Sequence, residues 1–313
     1  MKPTMSDYEL EALFERVCNW GRWGADDERG ALNFIDDSRR AAAARTVQSG
    51  RTVSLSLPLD KAPAPDNFKP LVHLMHQTGP DGKLDAFPHC ADFFAISPHG
   101  HVNTHLDALC HIFWRGKMYN GFDADAVTSH GANRCAIDLL RAGIVGRGVL
   151  LDIPKVRSVR WLEDDDGIVP ADLDAAEKDH GVRVDEGDIL LVRTGRALKR
   201  RVQGPWNVRE RCAGLEASCL GWLYQRRVAV LGGDGHNDLA PSPYKTSMAP
   251  IHVGAIAMMG VHLIDNADLE ELAQTCQGAG RYHFMFMMSP LVLEGGTASP
   301  VNPIAIFQQA AES

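Results

Sequence analysis

Apolar residues recur at intervals of three and four from Tyr8 through Val17, and then give way to the glycine-punctuated run Trp20-Gly21-Arg22-Trp23-Gly24 that continues to Gly30. The first pattern predicts an amphipathic helix over 8–19, and the second predicts the loop that ends it. A further helix is expected after Asp36-Asp37-Ser38, whose side chains can accept from the free N–H groups that open the alanine-rich stretch to Ala44. From Thr52 to Leu59 polarity alternates with the period of a strand. Prolines at 63, 65, 70, 80 and 88 punctuate the next thirty positions, so 60–90 reads as one long irregular segment, a length that in compact proteins serves function or stays disordered.

Beyond residue 148 the pattern changes. Short apolar runs at Val149-Leu150-Leu151, Ile189-Leu190-Leu191-Val192 and Val228-Ala229-Val230-Leu231 alternate with helix-like stretches at 170–180 and 215–226. Continuous apolar runs bounded by Gly or Asp are strands buried on both faces, which predicts a layered α/β domain. Another buried helix is expected over Ala249–Met259, and late strands over Phe284–Met288 and Leu291–Leu293, before the loop Glu294-Gly295-Gly296-Thr297. No repeat or linker divides the chain. It reads as an α/β protein with one compact domain, residues 51–313, preceded by an N-terminal helical extension, residues 1–50.

Composition narrows the function classes. Of 313 residues 45% are hydrophobic and 23% charged, ordinary soluble usage that excludes fibrous and disordered readings. No apolar run is long enough to span a membrane, and Met1 to Asp7 lacks a secretory leader, so a cytoplasmic location without a membrane partner is expected. Seven scattered cysteines without a C-x-x-C pair suit reduced thiols rather than disulfides. A formal charge of -8 repels phosphate backbones, which argues against a nucleic-acid partner and leaves a small molecule as the expected one.

The densest chemistry lies in the run His99-Gly100-His101-Val102-Asn103-Thr104-His105-Leu106-Asp107-Ala108-Leu109-Cys110-His111, which holds four of the thirteen histidines. His101, His105 and Asp107 supply two nitrogens and a carboxylate, a donor set for a divalent ion. His105 and Asp107 share a face only if the backbone between them is extended. His101 would then stand roughly 13 Å from His105 unless the chain turns between them. Asn103, which tolerates positive φ, is the expected turning point. Winding of Ala108–His111 into a helical turn would bring His111 beside Asp107, where an imidazole titrating near neutrality can carry protons. His99 needs no role in this scheme. Outside the cluster, Asp234 and His236 come after a buried strand at an edge where α/β folds place ligands, and Trp23 can line an aromatic pocket or pack in the core.

The run resembles the signature of the cyclase family of metal-dependent hydrolases, which includes bacterial kynurenine formamidase and isatin hydrolase and has the usual form H-x-G-T-H-x-D-x-P-x-H. His101, Thr104, His105, Asp107 and His111 match it, whereas Asn103 replaces the usual Gly and Leu109 the usual Pro. Trp-Gly-Arg-Trp-Gly, Tyr119-Asn120-Gly121, Gly187 to Gly195 and Ser299-Pro300-Val301-Asn302-Pro303 are similar to stretches of the longer members. The resemblance implies a swivelling β/β/α domain that assembles as a homodimer or homotetramer, metal ligands at His101, His105 and Asp107, and His111 as catalytic acid/base. It also implies a second metal site built from a later His and a Glu. His252 matches that His, but Asp265 stands where Glu is usual, which leaves one or two ions open.

By that resemblance the expected activity is hydrolysis of a C–N bond in a small amide, such as an aryl formamide or a lactam, with zinc or manganese. Lactone, ester or carbamate hydrolysis on the same site is the alternative. His105, Asp107 and His252 also have the composition of a non-haem iron oxygenase triad, and Asn103, Leu109 and Asp265 are departures that would suit a metal-binding protein without catalysis.

Overall fold

A computed structural model of the chain describes residues 5–47, 50–84 and 86–307. Its strands of three or more residues are β1 (Arg51–Ser54), β2 (Val72–Gln77), β3 (Ala91–Ala95), β4 (His105–Asp107), β5 (Ile144–Asp152), β6 (Ile189–Arg193), β7 (Val230–Gly233), β8 (His262–Asp265), β9 (His283–Met288), β10 (Ala298–Pro300) and β11 (Ile304–Phe307). The principal helices are α1 (Asp7–Arg16), α2 (Asp37–Arg45), α3 (Pro170–His180), α4 (Arg196–Gln203), α5 (Cys219–Arg226) and α6 (Glu270–Ala279).

One nine-stranded sheet runs in the order β1-β11-β9-β5-β6-β7-β8-β4-β10. Its centre, β5 to β8, is parallel. These are the strands whose apolar runs suit burial on both faces, and Val149, Leu150, Leu151, Ile189, Leu190, Leu191, Val230 and Leu231 are each 0% exposed. The flanking pairs are antiparallel. The molecule is therefore a mixed α/β fold with one curled sheet. Among the described residues no helix is long and apolar enough to cross a membrane.

The N-terminal helices join the same core. Leu10, Leu13, Phe14 and Val17 pack within the main hydrophobic cluster, and Trp20 Nε1 donates to the Ala257 carbonyl at 2.7 Å. α1 starts at a reciprocal cap, with Ser6 Oγ accepting from Glu9 N while Glu9 accepts from Ser6 N. α2 is capped by Asp36.

Several local expectations are corrected. The segment 60–90 is not wholly irregular, because β2 pairs with β3 across it as an antiparallel ribbon in which Leu74 faces Phe93. The prolines fall outside both strands, where they break no ladder. The alternation from Thr52 yields a strand only to Ser54. Leu291–Leu293 is an exposed loop, and the edge strands come later, at β10 and β11. The helix over Ala249–Met259 is a short turn, Pro250–His252, that continues as a π-helix from Val253 to Met259. Asn103 is not among the residues with positive φ. Residues 108–111 form a turn closed by His111 N donating to the Ala108 carbonyl at 3.0 Å, not a helix.

Candidate metal centre

Strand pairing assembles the centre. His105 and Asp107 lie two apart on β4 and so share a face. β8 runs beside β4 with Asp265 directly opposite His105, which places a second carboxylate on that face. His252 enters from the short helix that comes after β7 and its loop. All four are buried, between 0 and 7% exposed.

Their polar atoms converge. His105 Nε2 lies 3.4 Å from Asp107 Oδ1 and 3.9 Å from Asp265 Oδ2, and His252 Nε2 lies 3.6 Å from both Asp107 Oδ2 and Asp265 Oδ2. Ligands about 2 Å from a tetrahedral ion stand about 3.3 Å from one another, so this spacing fits a shared cation better than direct hydrogen bonding. The tautomers agree. His105 Nδ1 donates to the Asn103 carbonyl at 2.8 Å and His252 Nδ1 to Asp238 Oδ2 at 2.5 Å, which leaves each Nε2 facing the carboxylates.

The buried Asp107 carboxylate supplies the test of fit. Both its oxygens lack a hydrogen-bond partner, although His99 Nδ1 stands 3.0 Å from Oδ1 outside hydrogen-bonding geometry. A bare carboxylate in a dry interior costs several kcal/mol unless a cation compensates it. Without a metal the imidazoles take that part. Burial opposes a charge on His105, yet the Asp107 carboxylate beside it raises the imidazole to about 9. His252 is likewise buried, and Asp265, Asp107 and Asp238 hold it well above the ordinary range. Asp107, which burial alone would raise, is drawn well below its usual value by His105 first. His105, Asp107 and Asp265, whose ligand atoms lie within 4.8 Å of one another, fit a divalent cation, with His252 beside both carboxylates and Asn237 Nδ2 donating to Asp265 Oδ1 at 2.7 Å.

A second group forms from His99, Asp107 and His111, whose ligand atoms also lie within 4.8 Å of one another. The His99 ring stacks on His111 with centroids 3.7 Å apart, and His99 Nε2 shares a hydrogen bond of 2.9 Å with Thr297 Oγ1. His99 therefore belongs to the centre, contrary to the sequence reading. The expectation that His111 titrates near neutrality is also corrected, because burial lowers it to about 4.

A crystal structure of a novel cyclase superposes on this chain with a TM-score of 0.83 and 31% identity, covering 92% of this chain and 99% of that one. The Cyclase family model, described as "Putative cyclase", matches residues 53–237. The chain belongs to the cyclase family. The cyclase fold is shared, at lower identity, by isatin hydrolase A from Labrenzia aggregata bound to benzyl benzoate, with 20% identity, a TM-score of 0.59, and 85% of this chain and 96% of that chain covered. Isatin hydrolase A from Ralstonia solanacearum is 22% identical with a TM-score of 0.57, and the match covers 86% of this chain and 95% of that chain. No curated protein matches the sequence.

Within this cyclase the remaining sequence candidates are scattered. His101 stays outside both groups. Its Nε2 accepts from Arg209 Nε at 3.1 Å, its Nδ1 is buried without a partner, and its ring meets that of His236 edge-on at 5.7 Å. His236 sits at the rim of the centre, where burial lowers it to about 3. Asp234 is structural in its contacts, because its oxygens accept from Thr194 N, Thr194 Oγ1, Gly195 N and Arg196 N and so anchor the start of α4. Trp23 packs edge-on against Phe34 at 5.0 Å with Arg22 over its ring. Sequence reasoning missed Asp238, which holds His252, and Asn266, whose Nδ2 donates to the Gly100 and Asn103 carbonyls and fixes the ligand loop. Asp238 closes the run Gly232-Gly233-Asp234-Gly235-His236-Asn237-Asp238, a signal that pointed to the right loop and the wrong carboxylate.

Proposed function

We propose that this cyclase is a metal-dependent hydrolase that cleaves a C–N bond in a small amide such as an aryl formamide or lactam. One observation carries the reading: the ligand atoms of His105, Asp107 and Asp265 lie within 4.8 Å of one another, His252 Nε2 stands 3.6 Å from both carboxylates, and the buried Asp107 oxygens have no hydrogen-bond partner. These four residues would hold zinc or manganese. His99 and His111 form a second donor group with the same Asp107, which would suit a second ion. A divalent ion in this place would polarise a carbonyl and acidify water.

The chain's own residues supply the rest. His111, kept neutral by burial, can take a proton from the attacking water and return it to the departing nitrogen. Its stack on His99, itself tied to Thr297, fixes the plane of the ring. Asp238 fixes that of His252. The oxygenase reading is weaker, because a facial triad leaves three positions open and Asp265 lies within reach of one of them.

Metal analysis paired with a hydrolysis panel of aryl formamides, isatin-like lactams, lactones and carbamates tests the proposal. Amide or lactam turnover should vanish on chelation and return with zinc or manganese. His111→Ala should lower kcat by at least about 100-fold with the metal still bound. Full activity in that variant would remove His111 from the chemistry, and oxygen-dependent turnover would replace hydrolysis by oxidation.

The proposal extends to self-association. The β2–β3 ribbon exposes Val72, Leu74, Phe93 and Phe94, each about half accessible, and a second copy of this chain is the partner that would cover them.

A further inference from the structure

Two loops meet over His101: the one that precedes the β2–β3 ribbon and the one that comes after α4. Phe68 and Lys69 of the first, and Arg209 of the second, line a cleft with His99, His101 and the buried Asp66 at the edge of the metal centre, where Asp66 is already neutralised by Arg196 and Arg200. Arg209 is held at two points. Its Nε donates to His101 Nε2 at 3.1 Å, and its guanidinium carbon stands 5.2 Å from the centroid of the half-exposed Phe68 ring.

The charges around this cleft are not balanced alike. Every cation of α4 has a carboxylate: Arg196 and Arg200 face Asp66, Arg201 pairs with Asp268, and Lys199 with Glu163 and Asp164. Arg209 and Lys69 have none within ion-pair distance among the described residues, in a chain whose formal charge is -8. Arg209 uses one of five N–H donors on an imidazole nitrogen, which leaves both Nη groups for a planar anion. Phe68 beside them offers an aromatic face.

We propose that this cleft selects an anionic substrate, an aromatic amide that bears a carboxylate, with Arg209 binding the carboxylate, Lys69 adding charge at the mouth and Phe68 taking the ring. This rests on the hydrolase reading of the metal centre. Arg209 acts here as a specificity residue. Its Nε stays on His101 Nε2 while the two Nη groups face the anion.

Paired substrates read the selectivity: 2-formamidobenzoate and its methyl ester, assayed with wild type, Arg209→Ala, Arg209→Lys and Lys69→Ala. Wild type should favour the carboxylate by at least tenfold in kcat/KM. Arg209→Ala should erase that ratio, Arg209→Lys should keep part of it, and Lys69→Ala should reduce it less. An equal ratio in wild type, or equal losses on both substrates in Arg209→Ala, overturns the assignment. Calorimetric binding of benzoate against benzamide, in loaded and in chelated protein, keeps the two readings separate. Benzoate should bind more tightly in both states, and Arg209→Ala should abolish the preference in the chelated one, where no ion can hold a carboxylate. Absence of that preference overturns the anion site even in an active hydrolase. A preference that depends on Arg209 in a protein that hydrolyses no amide overturns the hydrolase reading alone.

Discussion

At the scale of single residues, the centre depends on groups that aim the donors as much as on the donors themselves. Asp238 accepts from Ile251 N at 2.6 Å, from His252 N at 3.2 Å and from His252 Nδ1 at 2.5 Å, so one carboxylate both caps the short helix and sets the imidazole tautomer. Asp238→Asn keeps an acceptor for the backbone but can present an N–H to Nδ1, which turns the ring or its tautomer. Outer partners of ligating histidines are worth roughly 10- to 100-fold in metal affinity. The variant is expected to lose affinity in that range, measured by competition with a chromophoric chelator, with thermal unfolding of the metal-free protein little changed. Lower stability with unchanged affinity would reduce Asp238 to a helix cap.

At the scale of elements, legibility in the sequence depends on which forces act locally. The parallel strands β5, β6 and β7 and helix α3 were readable because continuous apolar runs and a proline-started helix declare themselves within ten residues. The β4 extension was readable from His105 and Asp107. The partners of β4 were not, since β8 lies more than 150 residues away in the chain and only the sheet order brings Asp265 opposite His105. His99 is silent in the sequence for the same reason, because its place is set by Thr297 and the His111 ring, not by its neighbours in the chain. The junction of the N-terminal segment with the π-helix was equally silent. Gly30 and Gly260 meet backbone to backbone, both at positive φ, and a Cβ on Gly30 would stand 2.2 Å from the Gly260 carbonyl oxygen while one on Gly260 would meet Tyr119 at 2.5 Å. Neither can yield without moving main chain or a fully buried ring. Gly260→Ala is therefore expected to cost more than about 2 kcal/mol in denaturant unfolding. A loss below about 0.5 kcal/mol would mean that residues 1–50 yield easily against the rest.

At the scale of the whole molecule, the exposed ribbon is the feature that a monomer leaves unexplained. Val72, Leu74, Phe93 and Ala95 share one face, because Leu74 pairs with Phe93 and Val72 with Ala95. The opposite face carries the His73–Asp92 pair at 2.8 Å together with Phe94 and Met75. A two-stranded ribbon is marginally stable in water by itself, and here Leu84 and Phe87 near its tip are 82% and 75% exposed. Val72, Leu74 and Phe93 on the first face are each about half exposed, and Met75 and Phe94 on the second are exposed to the same degree. A second copy of the chain supplies an equal and matching area, as a two-fold contact requires. The ribbon ends at Ala95, four residues before His99, so an interface that orders it also orders the approach to Asp107. Light scattering after gel filtration should find a dimer or larger assembly at micromolar concentration. The double variant Leu74→Glu, Phe93→Glu should run as a monomer with an unchanged far-ultraviolet dichroism spectrum and weaker retention of metal on dilution. A monomeric wild type, or a variant that assembles as before, would show that something other than a second copy covers this face.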